Sequence, residues 1–340
     1  MKFKFLPVLA FFCFNIFADS DLLNSDNVSL SLMGSLEGRS IILKVKDKDG
    51  KNIGVFKPSS GSTLCHGEYA SYKLAQMVGL DIYPKTSLEY LNIKTQKKVV
   101  SLLKKTNFKD VSERKEENRK IILEELNRNI QTNTKLEGAF KPWYINFQFY
   151  KGLGTKIGVS SHKIYKYLHA DQPQLQKNKV LKLEQCTQML EPKGCTIGYV
   201  FADDLAKDFS SMLLIDAVMG NNDRFPGGNV HFKAVPGSEV IQKPGKLFFK
   251  SARLFSLDNG AVLKPADKTA LNILKEFKVS RFVKTYVEKL YEIDKMDNAT
   301  LRKELSLSPE EFEIFKQNLK DLLQYIDALK KQYKQKIWFE

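Results

Sequence analysis

The sequence predicts an α+β fold in two lobes, a small β-rich N-terminal lobe and a mostly helical C-terminal lobe. Three observations predict it. Short alternating runs parted by glycine-containing turns fill residues 27–57, the pattern of antiparallel strands. From Ala206 onward amphipathic helical stretches dominate, arranged around one central hairpin. Two polar, turn-forming clusters, around Asp223 and around Asp258, each follow an apolar run, as loops do at the mouth of a cleft.

The chain is long enough for such a plan. It has 340 residues, 43% of them hydrophobic, which supports a substantial core and argues against global disorder. It opens Met1-Lys2-Phe3-Lys4, runs almost wholly apolar from Phe5 to Phe17, and turns polar after Ala18. A basic start, a short apolar run and a small residue at its end describe a secretory leader cleaved after Ala18. Ile16 is not the ideal small residue for that site, so an uncleaved anchor is the alternative. The expected division is residues 1–18 as signal peptide, 19–150 as N-lobe with a charged helical insertion over about 104–134, and 151–340 as C-lobe with C-terminal helices. The expected location is outside the cytoplasm, secreted or periplasmic.

In order along the chain, Asn27–Leu32 and Ser40–Val45 read as strands joined by the turn Gly34-Ser35-Leu36-Glu37-Gly38. Asp47-Lys48-Asp49-Gly50 is a strong hairpin signal. The third strand, Lys51–Lys57, ends at Pro58, which has no N–H for a ladder. Gly67 to Val78 reads as a helix with Tyr69, Tyr72, Ala75 and Met77 on its apolar stripe and Gly79 as its stop. Ser87–Ile93 is a strand candidate. Thr106–Asn133 is charged and helical, either an insertion or a bridge between lobes. The aromatic-rich Ala139–Tyr150 suits a strand entering a hinge. Ala206–Met219 is an amphipathic helix stopped by Gly220. Val230–Phe232 and Lys246–Phe249 are short strands. The chain is helical from Lys268, and Ser308-Pro309-Glu310-Glu311 marks a helix start with Ser308 as cap.

Formal charge is +15, a field that attracts anionic partners such as ATP, acidic proteins or anionic lipid surfaces. Nothing in the sequence matches a nucleic-acid module, so no nucleic-acid partner is expected. Cys13 lies in the leader; of the three cysteines beyond it, Cys186 and Cys195 flank a Pro/Gly-containing loop in which a local disulfide fits, leaving Cys65 over. The other reading makes all three cysteines small apolar residues. No Cys/His spacing suggests zinc, and His66 and His231 read as ordinary polar residues.

Asp223 in Gly220-Asn221-Asn222-Asp223-Arg224 and Asp258 in Leu257-Asp258-Asn259-Gly260 suit phosphoryl transfer. One carboxylate handles the attacking hydroxyl, and the other holds a divalent metal on the phosphates. Such a site needs a lysine for the phosphates and an acid to hold it. Lys57 at the end of the third strand and Glu68 in the first turn of the next helix answer that need. Arg224 reads as a structural brace for the loop.

These segments, with Gly54-Val55-Phe56-Lys57-Pro58, Gly67-Glu68-Tyr69-Ala70-Ser71 and Gly79-Leu80-Asp81-Ile82-Tyr83-Pro84, resemble the atypical branch of the protein-kinase-like fold. That branch includes the phosphatidylinositol 3/4-kinase superfamily with the type II 4-kinases, the HipA-type kinases, and the secretory four-jointed/Golgi casein kinase group. The resemblance covers about residues 28–262. It implies ATP as cofactor with Mg²⁺ or Mn²⁺, Lys57 on the nucleotide phosphates, Glu68 paired with it, and Asp223 as the catalytic aspartate. It implies Asp258 and Asn229 as metal ligands, and Gly34 and Gly38 in the turn where a phosphate-covering loop would lie. Asn229 stands six positions beyond Asp223, one more than in protein kinases, so Asn221 or Asn222 is an alternative. The implied function is an exported, metal-dependent kinase acting on a protein. The alternatives are a lipid kinase with a phosphoinositide acceptor, a pseudokinase that binds a nucleotide or partner without turnover, and transfer of a nucleotidyl group.

Overall fold

Strand alternation and one well-made turn set up the N-terminal sheet. The computed structural model describes residues 22–33, 41–59, 65–105, 113–173, 178–187, 194–221, 223–225, 229–260, 262–263 and 271–339. The segment expected as a leader, Gly34, Gly38, Asn222 and the Pro226-Gly227-Gly228 segment lie outside them. Strands β1 (Ser29–Leu32), β2 (Leu43–Lys46) and β3 (Asn52–Pro58) are antiparallel neighbours. The β2–β3 turn forms where Asp47 Oδ1 accepts from the amides of Asp49 and Lys51 at 3.0 and 2.9 Å, and Gly50 takes φ 76°. That conformation costs glycine little.

Helix α1 (Cys65–Val78) follows, closed by Gly79 at φ 86°. Its buried face is made of Gly67, Glu68, Ala70, Ser71, Leu74, Ala75 and Val78. Tyr69, Tyr72 and Met77 are only half-buried, so the expected stripe is rotated away from the face that packs. Strand β4 (Ser87–Leu91) leads into α2 (Ile93–Lys105), which Asn92 caps by accepting from the Thr95 amide at 2.8 Å. Then come α3 (Glu113–Gln131) and β5 (Leu136–Pro142), which completes a five-stranded sheet in the order β1-β2-β3-β5-β4. Val99 and Leu103 of α2 and Ile122 and Leu126 of α3 pack in one cluster with Leu43, Val45, Phe56 and Phe140 of the sheet. Within the charged segment expected over 106–133 the described helix is α3, which packs beside α2 on the N-terminal sheet rather than between the lobes.

The C-terminal part is larger and centred on a buried helix. Strand β6 (Phe147–Phe149) is followed by the short helices α4 (Lys151–Gly154) and α5 (Lys156–Ser161), then by β7 (Val180–Thr187), β8 (Gly194–Phe201) and α6 (Ala202–Met219). Every residue of α6 from Asp208 to Met219 is buried, as expected of a helix enclosed on all sides. β9 (Val230–Ala234), β10 (Val240–Lys243), β11 (Lys246–Phe249) and β12 (Ala252–Ser256) finish two small sheets, ordered β12-β9-β6 and β10-β11-β8-β7. A disulfide joins Cys186 and Cys195, which face each other across the β7–β8 pair; Cys65 is free and buried.

Helices α7 (Leu271–Glu276), α8 (Lys284–Asp294), α9 (Asn298–Glu304) and α10 (Pro309–Tyr333) contribute to the same core cluster as α6. α10 begins with a full capping box: Ser308 and Glu311 exchange hydrogen bonds at 2.8 and 3.2 Å, with Pro309 in the first turn. Apolar residues of α1, α6 and α10 share one core cluster, separate from the cluster under the N-terminal sheet. Among the described residues no helix is long and apolar enough to cross a membrane.

Candidate active site

The site grows from the register of β3 against β5. Val55 faces Lys141 and Lys57 faces Ala139 across the ladder. Strand alternation therefore puts Val55, Lys57, Ala139 and Lys141 on one face, while Phe56 and Phe140 point into the N-terminal core. The first turn of α1 brings Glu68 under that face. Lys57 Nζ lies 3.2 Å from Glu68 Oε1 and 2.5 Å from Asp258 Oδ1. Lys141 Nζ lies 2.6 Å from Glu68 Oε2, and the Asn259 amide donates to the same oxygen at 2.9 Å. Two lysines and two carboxylates thus form one nearly buried quartet, of which only the Asp258 side chain is substantially open, at 50% exposure.

Electrostatics favour the charged forms of Glu68 and Lys57. Burial alone would push Glu68 up, but Lys141 and then Lys57 outweigh it and hold its carboxyl well below the usual range. Burial would likewise lower Lys57; Asp258 first, then Glu68, override it and raise its pKa. Gly67, beside Glu68, is where α1 meets the chain after Asp258. A Cβ there would stand 2.4 Å from Val262 Cγ2, a contact no side chain tolerates, so only glycine lets Glu68 approach this closely.

The second part is the loop after α6. Gly220 ends that helix at φ 65°. Asp216, in the last turn, is a carboxylate at the unfavourable end of a helix dipole. It is offset by Arg224, which is fully buried and grips both carboxylate oxygens at 2.8 and 2.6 Å. The Asn221 amide adds a third bond to Asp216 at 3.1 Å. The same guanidinium donates to the Asn229 and Leu257 carbonyls at 3.0 and 3.3 Å and to Asn259 Oδ1 at 2.7 Å. Arg224 therefore ties the Asp223 loop to the Asp258 turn. Asp223 receives an amide bond geometry set by Asn221 Oδ1, which accepts from its N–H at 3.1 Å, and its carbonyl accepts from Asn229 Nδ2 at 2.9 Å. Asp258 itself sits at φ 52°, a left-handed conformation that aspartate adopts more readily than most residues.

A cavity of about 390 Å³ opens onto the quartet. Its polar end is Lys57, Glu68, Lys141, Asp258 and Asn229; its apolar walls are Met33, Ile42, Val55, Ala139, Leu257 and Phe147. Pro142, Trp143 and Tyr144 close the side next to β5, within the segment expected to act as a hinge. Met33 and Ile42 pair backbone to backbone at 2.9 Å and both line the cavity. Gly34 and Gly38, between them in sequence, fall outside the described residues. His231 also lines it, held neutral as burial lowers its pKa to about 4. Asn229 reaches the cavity despite its longer spacing, whereas Asp223 stands one hydrogen bond behind it.

The structure thus brings Lys57, Glu68, Asp258 and Asn229 into one place and anchors Asp223 to it. Sequence reading missed Lys141, Asp216 and Asn259. The only signal for Lys141 is its place on the same strand face as Ala139, and that face is known only once the β3–β5 register is. The oxygen donors of Asp258 and Asn229 beside a partly open cavity fit a hard divalent ion such as Mg²⁺ or Mn²⁺.

No protein-family model and no curated protein matches the chain. Solved structures do. The crystal structure of the Golgi casein kinase with Mn/ADP bound is similar at 14% identity and a TM-score of 0.54, over 91% of this chain and 74% of that one. A second crystal structure of the Golgi casein kinase is similar at 13% identity and a TM-score of 0.55, over 94% of this chain and 77% of that one. At these identities the likeness is one of fold, and the fold of this chain is the two-lobed, atypical protein-kinase-like one.

Proposed function

We propose that this chain is a metal-dependent phosphotransferase that passes the γ-phosphoryl group of ATP to a hydroxyl of a protein, outside the cytoplasm. The observation that carries the reading is the double contact of Lys57 with Glu68 and with Asp258, which lies 201 positions away in sequence. In this reading the apolar walls take the adenine and Lys57 grips the phosphates. Glu68, fixed by Lys141 and the Asn259 amide, keeps that lysine extended. Asp258 and the side-chain oxygen of Asn229 hold the metal, which when bound neutralises phosphate charge. Asp223 orients the acceptor hydroxyl and takes its proton. The fold match to a structure of the Golgi casein kinase that holds Mn and ADP supports an adenine nucleotide, Mn²⁺ and a protein acceptor.

The test is incubation of the leader-free chain with γ-labelled ATP, Mn²⁺ or Mg²⁺, and separate protein and phosphoinositide-vesicle acceptors. Label is expected on protein and lost in both Asp223→Ala and Asp258→Ala. Transfer that survives both substitutions refutes the site. Label confined to vesicles refutes the protein acceptor, and nucleotide binding without transfer refutes the enzyme.

A further inference from the structure

At the start of α1 lies a second cluster that phosphoryl transfer does not use. Cys65 Sγ, His66 Nε2 and a Glu137 carboxylate oxygen all lie within 4.8 Å of one another. The three come from two elements, the start of α1 and strand β5, so no local spacing announces them. Cys65 Sγ is 3.7 Å and His66 Nε2 2.5 Å from the same atom, Glu137 Oε2. The other oxygen, Oε1, accepts from the Tyr90 hydroxyl at 2.7 Å. Cys65 is buried, whereas the His66 and Glu137 side chains are 35% and 24% exposed, which leaves one side open to solvent.

From these positions we propose a zinc site made by Cys65, His66 and Glu137, with water in the fourth position. A soft thiolate, an imidazole and a carboxylate are a donor set zinc accepts, and three protein ligands with one open position is an established arrangement for it. Zinc–ligand bonds of ~2.3 Å to sulfur and ~2.1 Å to oxygen at a tetrahedral angle put S and O about 3.6 Å apart. The observed 3.7 Å fits that without backbone movement. The shorter His66–Glu137 contact opens by about 0.9 Å to admit the ion; His66, at a partly exposed helix start, has the freedom to turn. Tyr90 supplies the outer-shell bond that orients the carboxylate.

In the ion's absence Glu137 holds His66 towards its protonated form, and burial together with Glu137 pushes the Cys65 thiol up to about 12. Binding therefore releases the thiol proton, and the imidazolium proton where present, to solvent. The ion would tie the first turn of α1, three residues from Glu68, to β5. Neither the cluster nor its test depends on the phosphotransferase reading.

The leader-free chain, its disulfide intact, is stripped with chelator, dialysed against Zn²⁺ and assayed for bound metal; Co²⁺ is then substituted and its spectrum recorded. One zinc per chain is expected, with a thiolate-to-cobalt charge-transfer band in the near ultraviolet. Cys65→Ser should remove the band, and Glu137→Gln or His66→Ala should weaken binding at least tenfold. Tyr90→Phe, which touches no ligand atom to the metal, should weaken it roughly tenfold. Asp258→Ala should leave the zinc stoichiometry at one, separating this site from the nucleotide cleft. Wild-type protein that retains no zinc, or zinc retained equally by Cys65→Ser, overturns the proposal.

Discussion

Replacing Glu68 by glutamine tests the quartet at its centre. The change keeps side-chain volume and removes one charge from a residue that is 1% exposed. Glu68 now accepts from three donors: Lys141 at 2.6 Å, Lys57 at 3.2 Å and the Asn259 amide at 2.9 Å. In Glu68→Gln, Lys57 keeps Asp258, but Lys141, which is 9% exposed, loses its carboxylate partner. Stranding one member of a buried ion pair costs about 3–5 kcal/mol. At ~2.1 cal/mol/K of unfolding entropy per residue, that lowers the melting temperature by roughly 4–7 °C. Lys141→Met should cost less, about 1–3 kcal/mol, because Glu68 keeps two donors. In the double variant no ammonium is stranded, so its cost should fall short of the sum of the two by about 1–3 kcal/mol. Urea denaturation with matched m-values measures all three. Glu68 is held low in the fold, so its contribution is complete above the unfolded glutamate value of ~4.3 and fades only as pH falls below it. A Glu68→Gln cost like that of a surface residue, within ~0.5 kcal/mol, or strict additivity with Lys141→Met, would refute the quartet as a coupled unit.

Two other outcomes follow from the C-terminal part. Cys186→Ser/Cys195→Ser, or reduction of the wild type, should lower unfolding stability by up to ~3 kcal/mol, the loop-closure value for so short a span; equal urea midpoints with and without reductant would contradict it. Asp208 is buried, which raises its pKa to about 6 against the opposing pull of Arg253. A carboxyl raised in the fold favours the native state while protonated and loses that advantage as pH climbs through about 6. Asp208→Asn should therefore gain on wild type by about 2 kcal/mol between pH 4 and pH 8. A constant difference across that range would show that Asp208 does not titrate there.

Much of this arrangement is legible in the residues themselves. Lys57 and Asp258 are announced by local grammar, a strand stopped by proline and a polar turn after an apolar run. Glu68 is announced by its place in a helix's first turn. The face of α1 was misread for a physical reason. The first half of the surface it buries includes Gly67, Ala70 and Ser71, with Gly67 held close to Val262, and such small residues carry little hydrophobic signal. The bulky Tyr69, Tyr72 and Met77 therefore mark its half-exposed flank. Lys141 was hidden because register is a property of paired strands. The β7–β8 hairpin is a different case: Leu181 and Leu183 alternate with Lys182 and Glu184, a period-two signal present in the chain but short beside the helical ones. Asp216 illustrates a third limit. A carboxylate near a helix end looks unremarkable until the fold buries it against Arg224.

The placement of α1 decides how the cleft is held together. Its Ala70, Leu74, Ala75 and Val78 belong to the same core as α6 and α10, not to the cluster beneath the N-terminal sheet. Glu68 is thus fixed from the C-terminal side, by that core, by the Asn259 amide and by the close fit of Gly67 to Val262. Asp258 is fixed from the same side through the Arg224 brace on Leu257 and Asn259. Both lysines come from the N-terminal sheet. The ion pairs Lys57–Glu68, Lys57–Asp258 and Lys141–Glu68 therefore all run from one cluster to the other. A hinge motion that parts the clusters must break all three together, which desolvated pairs resist strongly. Sliding of α1 against the C-terminal core would disturb apolar packing and also strain the contacts of Glu68 and His66 with Lys141 and Glu137 of β5. The Glu68 end of this site should accordingly follow the C-terminal part as a rigid unit, with the two lysines as the groups that move relative to it.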